Sequence, residues 1–342
     1  MFKLLIGGLL LSLLGTSLQA EELTVVSVGG LNQQAQQRAF YEPFTQRYGG
    51  TLRAGEYNGE MGKIKAMVDT ASVTWDVVEV DHAQLLRGCE DGLFELLPAI
   101  PGIDAKDFVD GAVSPCGVGI FIWSTALVYD PKRLPRAPGH WADLWNLKDF
   151  PGKRALRKGA KLTLEIALMA DGVPREQVYA RLREPAGVDQ AFAKLDQIKP
   201  YIQWWEAGAQ PLQWLASGDV SMTSTYTARA VNAQVQGHDF PLVWNGSLYD
   251  MDSWAIVKGS RQRERALKFI ALASEIQPQK QFAQLMHNGP ARLQSLALIP
   301  LAVQERFPTA SANMSQALKV DSDFWLDHGD ELEERFNAWA AR

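Results

Sequence analysis

Positive charge is scarce relative to negative: 34 lysines and arginines stand against 39 aspartates and glutamates in 342 residues, a formal net charge of -5. Without a basic stripe to neutralise phosphates, nucleic-acid binding lacks its main electrostatic support, and no nucleic-acid partner is expected. Cysteine is limited to Cys89 and Cys116, which form no CxxC pair, and no histidine is spaced with them for zinc. The five histidines, at 82, 140, 238, 287 and 328, are scattered and read as surface or structural residues. There is no GxSxG elbow, no HExxH and no GxxxxGK[ST] loop. Gly117 and Gly119 begin a GxGxxG pattern, but Ile122 stands where the third glycine belongs. No catalytic residue, metal or cofactor is therefore assigned, and the chain is not expected to be an enzyme. Internal repeats, low-complexity tracts and long flexible linkers are also missing.

What remains is ordinary globular composition, 46% apolar and 21% charged, with length enough for two cores. The N-terminus reads as a secretory signal: Lys3, an apolar run from Leu4 to Leu14, and a small or polar exit from Ser17 to Ala20, with cleavage expected after Ala20. That run is too short for a membrane anchor, which needs about 20 apolar residues. No cysteine follows it, which argues against lipid attachment. Loss of Lys3 would leave 33 basic against 39 acidic residues, a mature charge of -6. In an oxidising compartment Cys89 and Cys116 are read as one disulfide, the alternative being two buried free thiols.

From Glu22 onward, β-branched runs alternate with amphipathic stretches, predicting an α/β fold with mostly parallel strands. Leu23 to Val28 is the first strand, ending at Gly29 and Gly30, where backbone amides are open to a ligand. A helix carrying Ala35, Ala39, Phe40, Phe44 and Tyr48 follows, and Pro43 should kink it. Trp75 to Val80 is a strand, His82 to Cys89 a helix, and Gly119 to Tyr129 an extended segment leaving the first half. Pro131, Pro135 and Pro138 mark a break, after which a second α/β series begins. It holds helices at 162–170, 189–199, 211–216 and 226–236, and strands at 201–206, 219–223, 242–244 and 251–257. Ser260 is expected to cap one long helix through Ile276.

Aromatic and charged residues at predicted strand ends are the candidate site, because open α/β sheets bind ligands there. Tyr226 and Arg229, three apart at a helix start, share one face of the first turn, and a guanidinium there suits an anion. Plain packing of Tyr226 and solvation of Arg229 are the alternative. Asp252 could accept from an ammonium group, while Asp250 is read as turned away from the same cleft; either aspartate could instead cap a turn. Of Trp204 and Trp205, one should be core, and Trp205 is chosen as a wall of the site.

A series of segments carries a family resemblance. Val26-Ser-Val-Gly-Gly-Leu-Asn through Phe44, Trp75-Asp-Val-Val-Glu-Val-Asp81, Gly119-Ile-Phe-Ile-Trp-Ser-Thr125, Ala216-Ser-Gly-Asp-Val220 and Met251-Asp-Ser-Trp-Ala-Ile256 together resemble the spermidine/putrescine type of ABC-importer solute-binding protein. The resemblance implies a type II periplasmic-binding-protein fold with a ligand cleft at the hinge. Residues 21–128 with 254–300 would form one lobe and 129–253 with 301–342 the other. It also implies a periplasmic location, an ABC permease in the inner membrane as partner, and a monomer. In that family an aspartate at the position of Asp252 and an aromatic at that of Tyr226 hold an ammonium group, and Asp81 lines the cleft. Here the start of a second-lobe helix, acidic in polyamine binders, reads Arg157-Lys158-Gly159-Ala160-Lys161, and the first strand ends in Gly29-Gly30 in place of an aromatic. One acid and one arginine across a cleft suit an ω-amino acid such as 4-aminobutyrate or 5-aminovalerate, Asp252 taking the amine and Arg229 the carboxylate. This also resembles a branch of the family that binds 4-aminobutyrate. The ligand-binding set is thus Arg229, Asp252, Tyr226, Asp81, Trp205 and Gly30. Competing readings are a polyamine held by Asp81 and Asp252, a periplasmic enzyme using the same cleft, and a sensor input.

Overall fold

The structure is a computed structural model that describes residues 22–342, so the expected export segment lies outside the described residues. In chain order the strands are β1 (Glu22–Ser27), β2 (Thr51–Glu56), β3 (Val77–Asp81), β4 (Gly117–Tyr129), β5 (Arg154–Arg157), β6 (Ile202–Trp205), β7 (Met222–Tyr226), β8 (Leu242–Ile256), β9 (Gly289–Pro290) and β10 (Leu318–Lys319). They form one sheet in the order β2-β1-β3-β8-β4-β7-β5-β6, with β9 beside β4 and β10 beside β8. Two parallel sets, β2-β1-β3 and β7-β5-β6, occupy its two ends. Between them β4 and β8 run antiparallel to each other and to their outer neighbours. The expectation of a mostly parallel sheet thus holds for the two sets and fails at the centre, where β4 and β8 carry the chain between the halves in opposite directions.

Those two strands are long and buried. β4 has 13 residues, all buried, and β8 has 15. Their register slips between Gly119 and Phe121 and again between Thr125 and Leu127, and such bulges bend a strand pair. The separate strands expected at 242–244 and 251–257 are one, because the turn-like Asn245-Gly246-Ser247 is held in line: Trp141 Nε1 donates to the Gly246 carbonyl at 2.7 Å, and β10 pairs with Leu248 and Tyr249.

Helices cover both faces, and proline marks two of them. The helix expected from Ser260 through Ile276 is Arg263–Ala273, with Gln262 at the cap position, and a second helix that was not expected follows over Ile276–Met286. Pro278 would clash with the carbonyl four residues back in a continuous helix, but it is tolerated in a first turn. Near Pro43 the helix widens into a π turn over Gln37–Tyr41, which absorbs the missing backbone donor without a break. β7 begins three residues later than expected. Gly218 closes the helix Gln210–Ser217 in a left-handed conformation, and the Asp219 amide bonds the Trp214 carbonyl, so the chain is not free to pair until Met222. Cys89, in the helix His82–Glu90, is joined to Cys116 by a disulfide that ties this helix to the start of β4.

Candidate functional site

The carboxyl ends of both parallel sets point at one cavity of about 200 Å³. Val28 follows β1, Tyr57 and Asn58 follow β2, and Asp81 ends β3; from the other half Arg157 ends β5, Glu206 follows β6 and Tyr226 ends β7. This is the crevice in which open α/β sheets hold ligands. Phe121 and Trp123, two apart on β4, form its floor together with Asp252 of β8, which lies opposite Phe121.

At one pole stands a pair of carboxyls. Asp252 Oδ1 accepts from Trp123 Nε1 at 2.8 Å and its carboxyl is hydrogen-bonded to that of Glu79. Glu79, 1% exposed, also accepts twice from Asn32 Nδ2, at 3.0 and 2.8 Å, and from Gln36. Burial raises both acids, most strongly Asp252, which also faces the charge of Glu79; the amide donors around Glu79 partly offset its own rise. Two carboxyls meeting out of water in this way favour holding one proton between them. Asn32 Oδ1, also at the cavity, has no hydrogen-bond partner among the described residues. This pole is built to accept hydrogen bonds from a cation.

The other pole is cationic. Arg229 lies in the first turn of the helix Thr227–Val235, with Tyr226 as the preceding cap residue. Among the described residues it has no salt bridge, and burial lowers its affinity for the proton, offset in part by Tyr226 and by no carboxylate. Its guanidinium lies in a slot between two glycines. A Cβ at Gly208 would sit 2.8 Å from Nε, and one at Gly30, across the cleft, 3.6 Å from Nη2. Gly30 has φ of 59°, a conformation that also favours glycine. Arg157 lines the cavity as well, while the neighbouring Lys158 is spent on Glu206 at 2.8 Å.

At the edge of the cavity a third group is already neutralised. Lys161 Nζ lies 3.1 Å from Asp81 Oδ2 and 3.5 Å from Asp250 Oδ2. Asp81 Oδ1 meanwhile caps the helix His82–Glu90 by accepting from the Gln84 amide at 2.9 Å. Burial pushes Asp81 up, but Lys161 and the helix amide outweigh it and hold the carboxyl below the ordinary range. Burial pushes Asp250 up to about 6 despite Lys161.

Of the residues expected at the site, Arg229, Asp252, Tyr226 and Asp81 line the cavity. Gly30 lies behind the guanidinium instead. Trp205 does not reach the cavity: it is 1% exposed, bonds Ser224 through Nε1 and supports Tyr226 edge-on at 5.8 Å. The ring beside the carboxyl pole is Trp123, itself edge-on to Tyr226. Asp250 does not line the cavity, as expected, but the reason differs: residues two apart in a strand share a face, and Asp250 is covered by Lys161 beside Asp81. Sequence reasoning passed over Glu79, Asn32, Trp123 and Arg157. Each stands in an apolar, amide-rich or basic run that resembles core or surface, and only the alternation Val-Val-Glu-Val-Asp hinted that Glu79 shares a face with Asp81.

Two α/β halves whose strand ends enclose a small polar cavity define a two-lobed solute-binding protein. Residues 39–309 match the family of bacterial extracellular solute-binding proteins, and the chain belongs to it. It is 56% identical to the gamma-aminobutyric acid-binding protein of Pseudomonas aeruginosa over 324 residues, 95% of this chain and 92% of that one. It is 25% identical to the spermidine/putrescine-binding periplasmic protein of Escherichia coli over 168 residues, 48% of this chain and 46% of that one. Among solved structures, the Atu4243-GABA receptor superposes with a TM-score of 0.85 at 32% identity, covering 94% of this chain and 98% of its own. The PBP MotA from A. tumefaciens B6, in complex with glucopine, gives 0.87 at 29% identity over 94% of this chain and 100% of its own.

Proposed function

We propose that the chain is the periplasmic substrate-binding component of an ABC importer and that it captures an ω-amino acid of the 4-aminobutyrate or 5-aminovalerate class. The supporting observation is Arg229, a half-buried guanidinium without a carboxylate partner among the described residues, lining the same cavity as the Asp252 and Glu79 carboxyls. A ligand with an ammonium at one end and a carboxylate at the other would satisfy both poles, its methylenes lying against Phe121, Trp123 and Tyr226. An α-amino acid carries both charges on one carbon and would leave one pole unmatched. The ligands named for the P. aeruginosa relative and for the Atu4243 receptor support this reading. A polyamine would need Asp81, which Lys161 already neutralises. Among the described residues the cavity lining contains no serine, cysteine, lysine or histidine.

The mechanism follows from the sheet. Asp252 lies on a strand shared by both halves, Glu79 on β3 and Arg229 on the far half, so a ligand touching all three binds the closed form better and shifts the population toward it. A permease in the inner membrane would read that closed shape from a monomeric binding protein. Calorimetry of Arg229→Ala with 4-aminobutyrate tests the assignment. Removing one partner of a desolvated charge pair costs about 2–5 kcal/mol, so the dissociation constant should rise by about 30-fold or more. An unchanged constant would end the carboxylate assignment.

A further inference from the structure

We infer that Lys161 determines ligand specificity: its ammonium occupies, from within the chain, the place between Asp81 and Asp250 that the second ammonium of an α,ω-diamine would take. This rests on the reading that Asp252 receives the ligand's first ammonium.

Three facts carry it. Lys161 Nζ lies within salt-bridge distance of both carboxylates, 3.1 and 3.5 Å, and its side chain is only 14% exposed. Asp81 opens directly onto the cavity and is paired in register with Asp252 across β3 and β8, so the two acids are neighbours on one wall. A fourth carboxyl, Glu165, lies in the first turn of the helix Thr163–Ala170 that follows Lys161, and its charge also acts on the lysine. Its Oε2 has no hydrogen-bond partner, while Oε1 is held by Tyr179 and Trp325 at 2.8 Å each. Without Lys161 the edge of the cavity would thus be an acidic nest in which only Arg157, acting on Asp81 from farther off, is a counter-charge, and a free ammonium could take the vacated place. With it, the nest is filled and a dication meets a resident cation. The desolvation already spent on burying these acids is recovered by the tethered amine, so a diamine gains nothing there. Exclusion by an occupying like charge is a repulsive form of specificity.

The experiment compares putrescine and 4-aminobutyrate by calorimetry on the natural chain and on Lys161→Met, Lys161→Gln and Lys161→Ala, with thermal unfolding as a second readout. Putrescine should bind each folded variant at least tenfold more tightly than the natural chain and should raise the melting temperature of the variants alone. Lys161→Arg, which keeps the charge, should retain the exclusion. Adding Asp81→Asn to Lys161→Met should abolish the gain. Lys158→Met changes the net charge equally but at the exposed pair with Glu206, and should show no gain. Folded variants without a putrescine gain, an equal gain in Lys158→Met, or failure of all three variants to fold even with putrescine present would each overturn the inference. If the natural chain fails to bind 4-aminobutyrate while the putrescine gain is seen, the ligand reading fails and the role of Lys161 stands.

Discussion

Replacing Gly208 by alanine probes the anionic end of the ligand without touching a charged group. A Cβ there would stand 2.8 Å from Arg229 Nε and 3.2 Å from Cζ, whereas ordinary contact begins at 3.4 Å. Gly208 does not have a positive φ, so alanine is not strained there and the cost falls on the guanidinium. The guanidinium can yield toward Gly30, where a Cβ would have 3.6 Å of room, or into the cavity, and either way the fork should move out of line with the ligand. A hydrogen bond to a charged group contributes about 1.5–3 kcal/mol, and misaligning a two-pronged pair without abolishing it should forfeit about 1–2 kcal/mol. The dissociation constant for 4-aminobutyrate should therefore rise about 5- to 30-fold. Butylamine, which lacks the carboxylate, should bind the variant and the natural chain equally. Calorimetry with both ligands, alongside the melting temperature of the free protein, reads the effect. A variant that melts normally and binds 4-aminobutyrate with unchanged affinity would show that the guanidinium does not engage the ligand.

Proton release should accompany binding. Burial and Glu79 hold Asp252 well above the usual carboxyl range in the free protein, and a ligand ammonium requires its ionised form, so affinity should fall on acidification from neutrality toward the ordinary Asp value near pH 4. Titrations in two buffers of different ionisation enthalpy should report release of up to about one proton per site, and Glu79→Gln should flatten the pH slope; a flat slope in the natural chain would refute the shared proton. For the free protein the sign is opposite, because the folded state holds a proton that the unfolded state gives up, and this pair's share of stability grows as the pH falls through the same interval. Removing the disulfide as Cys89→Ala with Cys116→Ala should cost about 3–4 kcal/mol through the reopened loop, at a sequence separation of 27, and lower the urea midpoint. Binding should persist in that variant, because neither cysteine lines the cavity.

Local periodicity placed strands such as β1, which is buried on both faces and announces itself as an apolar run, and helices such as His82–Glu90, by its cap and stripe, but it gave no element over Met61–Asp69, β5 or Ser322–Ala340. It missed β2, a largely exposed edge strand whose Thr-Leu-Arg-Ala-Gly-Glu has no core to answer to. Three of the four cavity residues foreseen, Asp81, Tyr226 and Arg229, stand at a strand end or helix start, where a polar or aromatic side chain conflicts with the pattern around it, while Asp252 interrupts the interior of β8. Glu79 breaks no such boundary, and its role depends on Asn32 and Gln36 approaching from another helix, 47 and 43 residues away in sequence. The basic run at 157–161 shows most clearly what separation hides. In the sequence it signalled only that an acid was missing from a second amine site. Folding brings Lys161 against Asp81, 80 residues away, and against Asp250, and the missing acid becomes a cation already bound. Charge type was therefore legible and charge pairing was not, because pairing is decided by which strand ends meet across the cleft. A binding protein's selectivity can then reside in a residue that never touches its ligand.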